Sequence, residues 1–233
     1  MEESQRKGFQ TIYGDTDSAF LGLGKKSKKD LLHFLEGLNK GLPGIMHIEL
    51  EAFYRRGIFI PREVGGGVAK KRYALIDEKG NLKIRGLEKV RRDWSNLAKR
   101  AQGEILKLIL GKKDIEGAIR LAKDGIKRLR NLKVELKDLV VYEQLTKPIG
   151  EYKLTSPHIS AAKKLIAKGI PVKAGSVVGF VIEKGSGSIS EKAQPIEFAD
   201  LKKIDTDYYI HHQILPASLR ILKVLGVDEK RLQ

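Results

Sequence analysis

The sequence predicts an α+β fold in which a strand-rich first part, residues 1–91, is followed by a mainly helical second part, residues 92–233. Two observations predict it. Short runs rich in β-branched and aromatic residues, separated by turn residues, occupy Thr11 to about Glu88. Beyond Arg92 the apolar residues recur at spacings of three and four instead. At 233 residues with 41% hydrophobic content, the chain is long and apolar enough to bury a core.

In the first part, "TIY", "HIELEAF", "RYALID" and "LKIRG" read as strands, with Glu78 to Asn81 as a hairpin turn between the last two. One helix intervenes over Lys28 to Leu38, where Leu31, Leu32, Leu35 and Leu38 share a face and "GLPG" stops it. In the second part, Trp94, Leu97, Ala98, Ala101, Ile105 and Leu108 define a helix with Asp93 as its N-cap. A second helix runs from Asp114 to about Leu132, with Ile115, Ala118, Ile119 and Ala122 inward. A third has Ser156 as N-cap, Pro157 in its first turn and Gly169 as its stop. The last, Asp207 to Leu225, contains Pro216 and is expected to kink or break there. A strand is expected at Val177 to Ile182, and flexible segments at Gly65 to Gly67 and Glu183 to Pro195.

Composition narrows the function. There are 45 basic and 29 acidic residues, a formal charge of +16, which favours a polyanionic partner through phosphate neutralisation; a basic surface kept for solubility is the plainer alternative. The absence of cysteine excludes disulfides, thiolate nucleophiles and cysteine-ligated zinc. No run approaches a membrane span and "MEESQRKGFQ" has no signal-peptide core, so no membrane partner and a cytoplasmic, intracellular setting are expected.

The segment "TIYGDTDSAF" places Asp15 and Asp17 two residues apart, so both carboxylates can face one cation, and Gly14 permits a sharp turn before them. Hard oxygen ligands suit magnesium, which prefers one or two carboxylates plus water and phosphates. A polar hairpin turn without a metal is the alternative. An EF-hand starting at Asp15 would need an oxygen ligand at Ala19 and glycine at Phe20, and "GKKS" lacks the earlier glycine of a P-loop, so both are excluded.

The hexapeptide "YGDTDS" between strands resembles the third palm motif, motif C, of family B DNA polymerases, and further motifs follow in order. "KKRY", Lys70 to Tyr73, is similar to their primer-template contact motif, and "RGLEKVRRDW" to their passage from palm into thumb. Tyr142 to Ala162 and Asp205 to Leu222 look like the archaeal-type thumb. The resemblance implies a partial palm over residues 1–91, antiparallel strands with a motif C hairpin and a helix, then a mainly helical thumb over 92–233. It implies that Asp17 is the principal ligand of two catalytic Mg2+ ions, that Asp15 supports it, and that Tyr13 and Thr16 lie beside the primer terminus. The reaction implied is attack of a primer 3′-hydroxyl on the α-phosphate of a dNTP.

Strand alternation in "AKKRYALID" would put Lys70 and Arg72 on one face and Lys71 and Tyr73 on the other, so that one face meets primer-template DNA while the other packs; an exposed charged strand is the alternative. In the thumb, Arg91, Thr146 and Lys147 are candidates for backbone contacts. His158, His211 and His212 read as structural or exposed.

Motifs that the family carries earlier, of the D-x-x-S-L-Y-P, K-x-x-x-N-S-x-Y-G and D-I-E kinds, do not occur in the sequence. The expectation is therefore a small subunit of a split polymerase, inactive without a large polymerase subunit carrying the remaining palm, fingers and exonuclease. A non-catalytic DNA-binding accessory subunit and a pure assembly subunit are the alternatives. A split palm is also expected to leave apolar surface and strand edges open.

Overall fold

Strand β4 packs apolar side chains on both of its faces, and the rest of the chain arranges itself around that fact. The computed structural model describes residues 2–16, 18–62 and 68–232, so Asp17 and the Gly65 to Gly67 segment lie outside the described residues. A short helix α1 (Glu2–Arg6) leads into an antiparallel hairpin of β1 (Gln10–Asp15) and β2 (Ser18–Gly22). Helix α2 (Lys28–Gly41) follows, then an antiparallel sheet of β3 (Tyr54–Pro61), β4 (Val68–Asp77) and β5 (Leu82–Arg85), in that order. The helical part opens with α3 (Asn96–Leu106), α4 (Ile115–Arg130) and α5 (Leu136–Leu139). Strand β6 (Val141–Gln144), helix α6 (Pro157–Ala167), strand β7 (Val177–Ile182), helix α7 (Ile189–Lys192) and strand β8 (Ala193–Pro195) come next; the three strands form a second antiparallel sheet with β7 central. Helices α8 (Thr206–Tyr209) and α9 (Leu215–Leu222) complete the order. Among the described residues no helix is long and apolar enough to cross a membrane.

Period-two alternation sends Tyr73 and Leu75 of β4 to one face and Ala74 and Ile76 to the other, and all four are buried. Ala74 and Ile76 join the main core with Ile58, Ile60, Ile84 and Leu87, and that core continues into α3 through Ile105 and Leu106 and on to Phe180 of β7. Tyr73 and Leu75 belong to a separate, smaller cluster with Tyr13. The main core therefore runs unbroken past Arg92, where the composition changes.

At that junction Glu88 is buried and fully engaged. Its carboxylate accepts from Gln102 Nε2 at 2.6 Å and from Arg220 Nε at 3.1 Å, while Gln102 Oε1 accepts the Lys89 N–H at 2.8 Å. The carboxylate thus ties the strand-rich part to α3 and α9 with charge-assisted bonds, which offset its burial. Tyr209 is buried too, its hydroxyl accepting the Ile182 N–H at 3.1 Å, and burial pushes that phenol far up from its ordinary pKa.

Several elements fall where expected. The turn at 78–81 joins β4 to β5, with Asp77 accepting the Asn81 N–H at 2.7 Å. Asp114 caps α4, Pro157 opens α6, and β7 spans Val177–Ile182. The last helix does not break at Pro216: the backbone stays helical from α8 through a π-helical turn, Ile210–Ile214, into α9, whose first turn holds the proline. That helix starts at Thr206, one residue before the expected Asp207, with Asp205 as its cap.

Other expectations are corrected. "HIELEAF" is not a strand, since β3 begins only at Tyr54. Among the described residues no strand pairs with it; instead the Asn39 side chain does a strand's work, donating to Ile48 O at 2.9 Å and accepting the Ile48 N–H at 2.8 Å. The cap of α3 is Ser95, whose hydroxyl accepts from Ala98 N, because Asp93 is held by Arg91. Beyond Leu106 the helix widens into a π-helical turn over Lys107–Lys112. The 183–195 segment is not a plain loop: Ser188 and Glu191 form a capping box that starts α7, and Ala193 is buried in β8. Helix α2 forms where expected on a Ser27–Asp30 capping box, yet none of its residues is fully buried.

The Arg100–Asp138 pair generates a pH prediction. Arg100 Nη1 donates to Asp138 Oδ1 at 2.6 Å, and this hydrogen bond holds the Asp138 carboxyl below the usual carboxylate range. A lowered folded-state pKa contributes stability that is full above the unfolded value, about 4, and is lost as pH falls through the folded value. Because Arg100 is half exposed, Asp138→Asn is expected to cost only about 1 kcal/mol at neutral pH. Urea melts from neutral to acid pH should show that cost vanish on the acid side; a cost that stays constant with pH would contradict it.

Candidate catalytic hairpin and nucleic-acid interface

The basic motif sits on a bulge. Phe59 of β3 faces Tyr73 of β4, yet Pro61, two residues on, faces Val68, five residues back, so residues 69–72 are looped out of the ladder. Lys71 there adopts a left-handed backbone, φ 57°, which costs a non-glycine residue about 1–3 kcal/mol unless its surroundings hold it. The bulge cancels the strand alternation expected for "KKRY". Lys70 and Lys71 are both exposed, Arg72 is half-buried and Tyr73 is buried.

Two contacts hold the Lys71 backbone. Its N–H donates to the Tyr13 hydroxyl at 2.7 Å. Its carbonyl lies against Gly86, where a Cβ would come within 2.2 Å of the oxygen; Gly86 is itself at φ 62°. A third contact is electrostatic: Lys71 Nζ lies 3.7 Å from Asp15 Oδ2.

Tyr13, Phe20, Phe59 and Tyr73 form a tetrad in which every pair of rings is in contact, with centroids 5.2 to 5.9 Å apart. Each such pair is worth about 0.5–1.5 kcal/mol beyond area burial. Two rings come from the β1–β2 hairpin and two from the β3–β4 pair, so the tetrad mounts the hairpin on the sheet. Lys83 lies over the Phe20 and Tyr54 rings and pairs with Glu51.

Asp15 ends β1, opposite Ser18. Its side chain is 13% exposed and accepts from Thr16 Oγ1 at 3.2 Å, while its other oxygen faces Lys71. A carboxylate already facing a cation fits a divalent metal ion as one ligand. Among the described residues no three Asp, Glu or His side chains converge, and Asp17 lies outside those residues. Thr16 is exposed at the hairpin tip, whereas Tyr13 is buried.

The thumb candidates lie apart from the hairpin. Arg91 is clasped by Asp93, with Nε–Oδ1 3.0 Å and Nη2–Oδ2 2.5 Å. The Tyr152 hydroxyl gathers the other two: it accepts Thr146 N–H at 2.8 Å and Lys147 N–H at 3.4 Å, with Lys147 Nζ 4.9 Å from the ring centre. The Thr146 hydroxyl beside it holds the Tyr152 phenol below its usual pKa. His212 stacks on Tyr208, and His158 pairs with Glu143 at 2.8 Å, where burial pushes the Glu143 carboxyl up. Gly86, Phe20, Phe59 and Tyr152 were not singled out from the sequence. A glycine directly after the strand "LKIR" was the one available signal of a close backbone approach.

A family profile described as DNA polymerase family B matches residues 1–225. The chain belongs to DNA polymerase family B. A relative, the DNA polymerase of Methanocaldococcus jannaschii, is 44% identical over 238 residues, covering 100% of this chain but 14% of the relative. That of Pyrococcus horikoshii is 43% identical, covering 99% and 19%. The solved structure of the family B DNA polymerase from the hyperthermophilic archaeon Pyrobaculum calidifontis matches with a TM-score of 0.72 and 35% identity, over 97% of this chain and 28% of that one. The chain thus spans less than a third of the length of these family B polymerases.

Two substitutions test the mounting of the bulge. Tyr13→Phe leaves the tetrad's rings and removes the acceptor of the Lys71 N–H, at an expected cost of about 1–2 kcal/mol. Amide exchange at Lys71 should accelerate more than at Ile105 in the main core; equal change at both would contradict it. Gly86→Ala, blocked by the Lys71 carbonyl, should lower the melting temperature further than Tyr13→Phe does.

Proposed function

We propose that this chain supplies the motif C hairpin and the thumb of a family B DNA polymerase, and is catalytic only with the rest of the palm. The observation that carries the reading is the placement of Asp15 at the tip of a hairpin mounted on the aromatic tetrad, beside the exposed lysines of the bulge. Residues 1–91 serve as the C-terminal part of the palm and residues 92–233 as the thumb.

In this reading Asp15 and Asp17 hold two Mg2+ ions, which when bound activate the primer 3′-hydroxyl and neutralise charge at the phosphates of the dNTP. The tetrad fixes the height and tilt of the hairpin, so Asp15 needs no reorganisation during reaction. Thr16, exposed beside Asp15, lies next to the primer terminus. Tyr13 and Tyr73 act as positioning residues from below, since both are buried. Lys70, Lys71 and Arg72 grip the primer-template backbone, and exposed cations on a bulge suit contacts that position DNA without reading sequence. Arg91, Thr146 and Lys147 contact the backbone from the thumb.

Support for a larger partner comes from apolar surface. Ile12, Leu32, Ile45, Met46, Ile48 and Leu50 are all exposed, and all lie in the strand-rich part. Four of them fall within residues 45–50, a short segment with its apolar side chains in solvent, as an interaction surface would present. Among the described residues β1 and β2 pair only with each other, leaving strand edges open.

Magnesium-dependent primer extension tests the proposal, with this chain alone, the larger polymerase body alone, and both mixed. Activity is expected only in the mixture, with Asp17→Ala or Asp15→Asn reducing it by about 10²-fold or more. Activity of the larger body alone, unchanged by adding Asp17→Ala chain, would instead make this chain a non-catalytic DNA-binding accessory subunit.

A further inference from the structure

Lys71 is an unusual partner for Asp15. Its backbone is fixed by the Tyr13 hydroxyl and by Gly86, yet its side chain is 70% exposed and reaches back to a carboxylate that is only 13% exposed. A rigid root with a free tip gives the ammonium group two places to be: against Asp15 Oδ2, at 3.7 Å, or out in solvent over the bulge. The carboxylate's other oxygen is met by Thr16, a neutral donor, so among the described residues Lys71 is the cation paired with Asp15. A divalent cation arriving at Asp15 would meet Lys71 as a like charge a few ångströms away, and only one of them can occupy the position facing Oδ2.

We propose that the Lys71 ammonium is a displaceable stand-in for the divalent cation at Asp15, so that metal entry and release of Lys71 towards a DNA phosphate are one coupled event. This rests on Asp15 being a metal ligand. The coupling is reciprocal: a phosphate that draws Lys71 away makes Asp15 a better cation site, and a cation at Asp15 makes Lys71 a better phosphate donor. An exposed pair sets the size of the effect at up to about fivefold in either affinity. It would favour full metal loading when a duplex lies on the bulge, and leave the site neutralised when none does.

The test is Mn2+ affinity of the purified chain, read from the free-ion electron paramagnetic resonance signal, for the natural sequence, Lys71→Asn, Lys71→Arg and Asp15→Asn. Asparagine tolerates the left-handed backbone, so the bulge should persist, and circular dichroism melts check that it does. Lys79→Asn, in the turn at the far end of β4, controls for loss of one positive charge. Lys71→Asn is expected to bind Mn2+ about two- to fivefold more tightly, with Lys71→Arg and Lys79→Asn unchanged. Duplex affinity by fluorescence anisotropy, with and without Mn2+, should rise by a similar factor in the natural sequence and not in Lys71→Asn, each referenced to Asp15→Asn to cancel Mn2+ held by the DNA itself. Natural Mn2+ affinity in Lys71→Asn, with binding still lost in Asp15→Asn, overturns the coupling alone. Unchanged Mn2+ binding in Asp15→Asn overturns the ligand role of Asp15 and the coupling with it.

Discussion

The hydrogen bond from the Lys71 N–H to the Tyr13 hydroxyl joins the hairpin that carries Asp15 to the basic bulge of β4. A left-handed lysine in a strand bulge is not a conformation that the chain adopts for local reasons, and it persists because three separate elements converge on it. Tyr13 from β1 satisfies its donor, Gly86 beyond β5 makes room for its carbonyl, and Tyr73 at its end is locked into the aromatic tetrad. The basic motif and the carboxylate hairpin are therefore not two sites that happen to lie close. They are one mount with two working edges, and each holds the other in place.

Beneath that mount, β4 separates two interiors. One face feeds the small aromatic cluster under the hairpin, and the other feeds a core shared with the helical part. The buried Glu88, bonded to Gln102 and Arg220, fastens the junction where the second of these crosses from strands to helices. This arrangement explains why a change in sequence period near Arg92 does not coincide with a gap in packing.

Much of this was legible in the sequence because it depends on local chemistry. The helix cap at Asp114, the opening of α6 at Pro157 and the turn at 78–81 follow from the side chains at those positions. The family was legible from ordered motifs. What was not legible depends on residues distant in sequence. Alternation assigns Lys70 and Arg72 to one face, but the bulge is imposed by Tyr13 and Gly86, 58 and 15 positions away from Lys71. "HIELEAF" has the composition of a strand, yet pairing needs a neighbour, and the side chain of Asn39 takes that place. The leucines of α2 share a face by periodicity, yet Leu32 is exposed and Leu31, Leu35 and Leu38 are only half-buried, because periodicity reports amphipathicity without saying what covers the apolar face.

The division of the interior by β4 bears on the order in which the molecule loosens. The hairpin depends on four rings and one hydrogen bond to a bulge, while the helical part shares a continuous core reaching from β3 to α9. Local opening draws on the smaller reservoir first. On warming, the hairpin that carries Asp15 would lose its seat on the sheet while the helical part still held its shape.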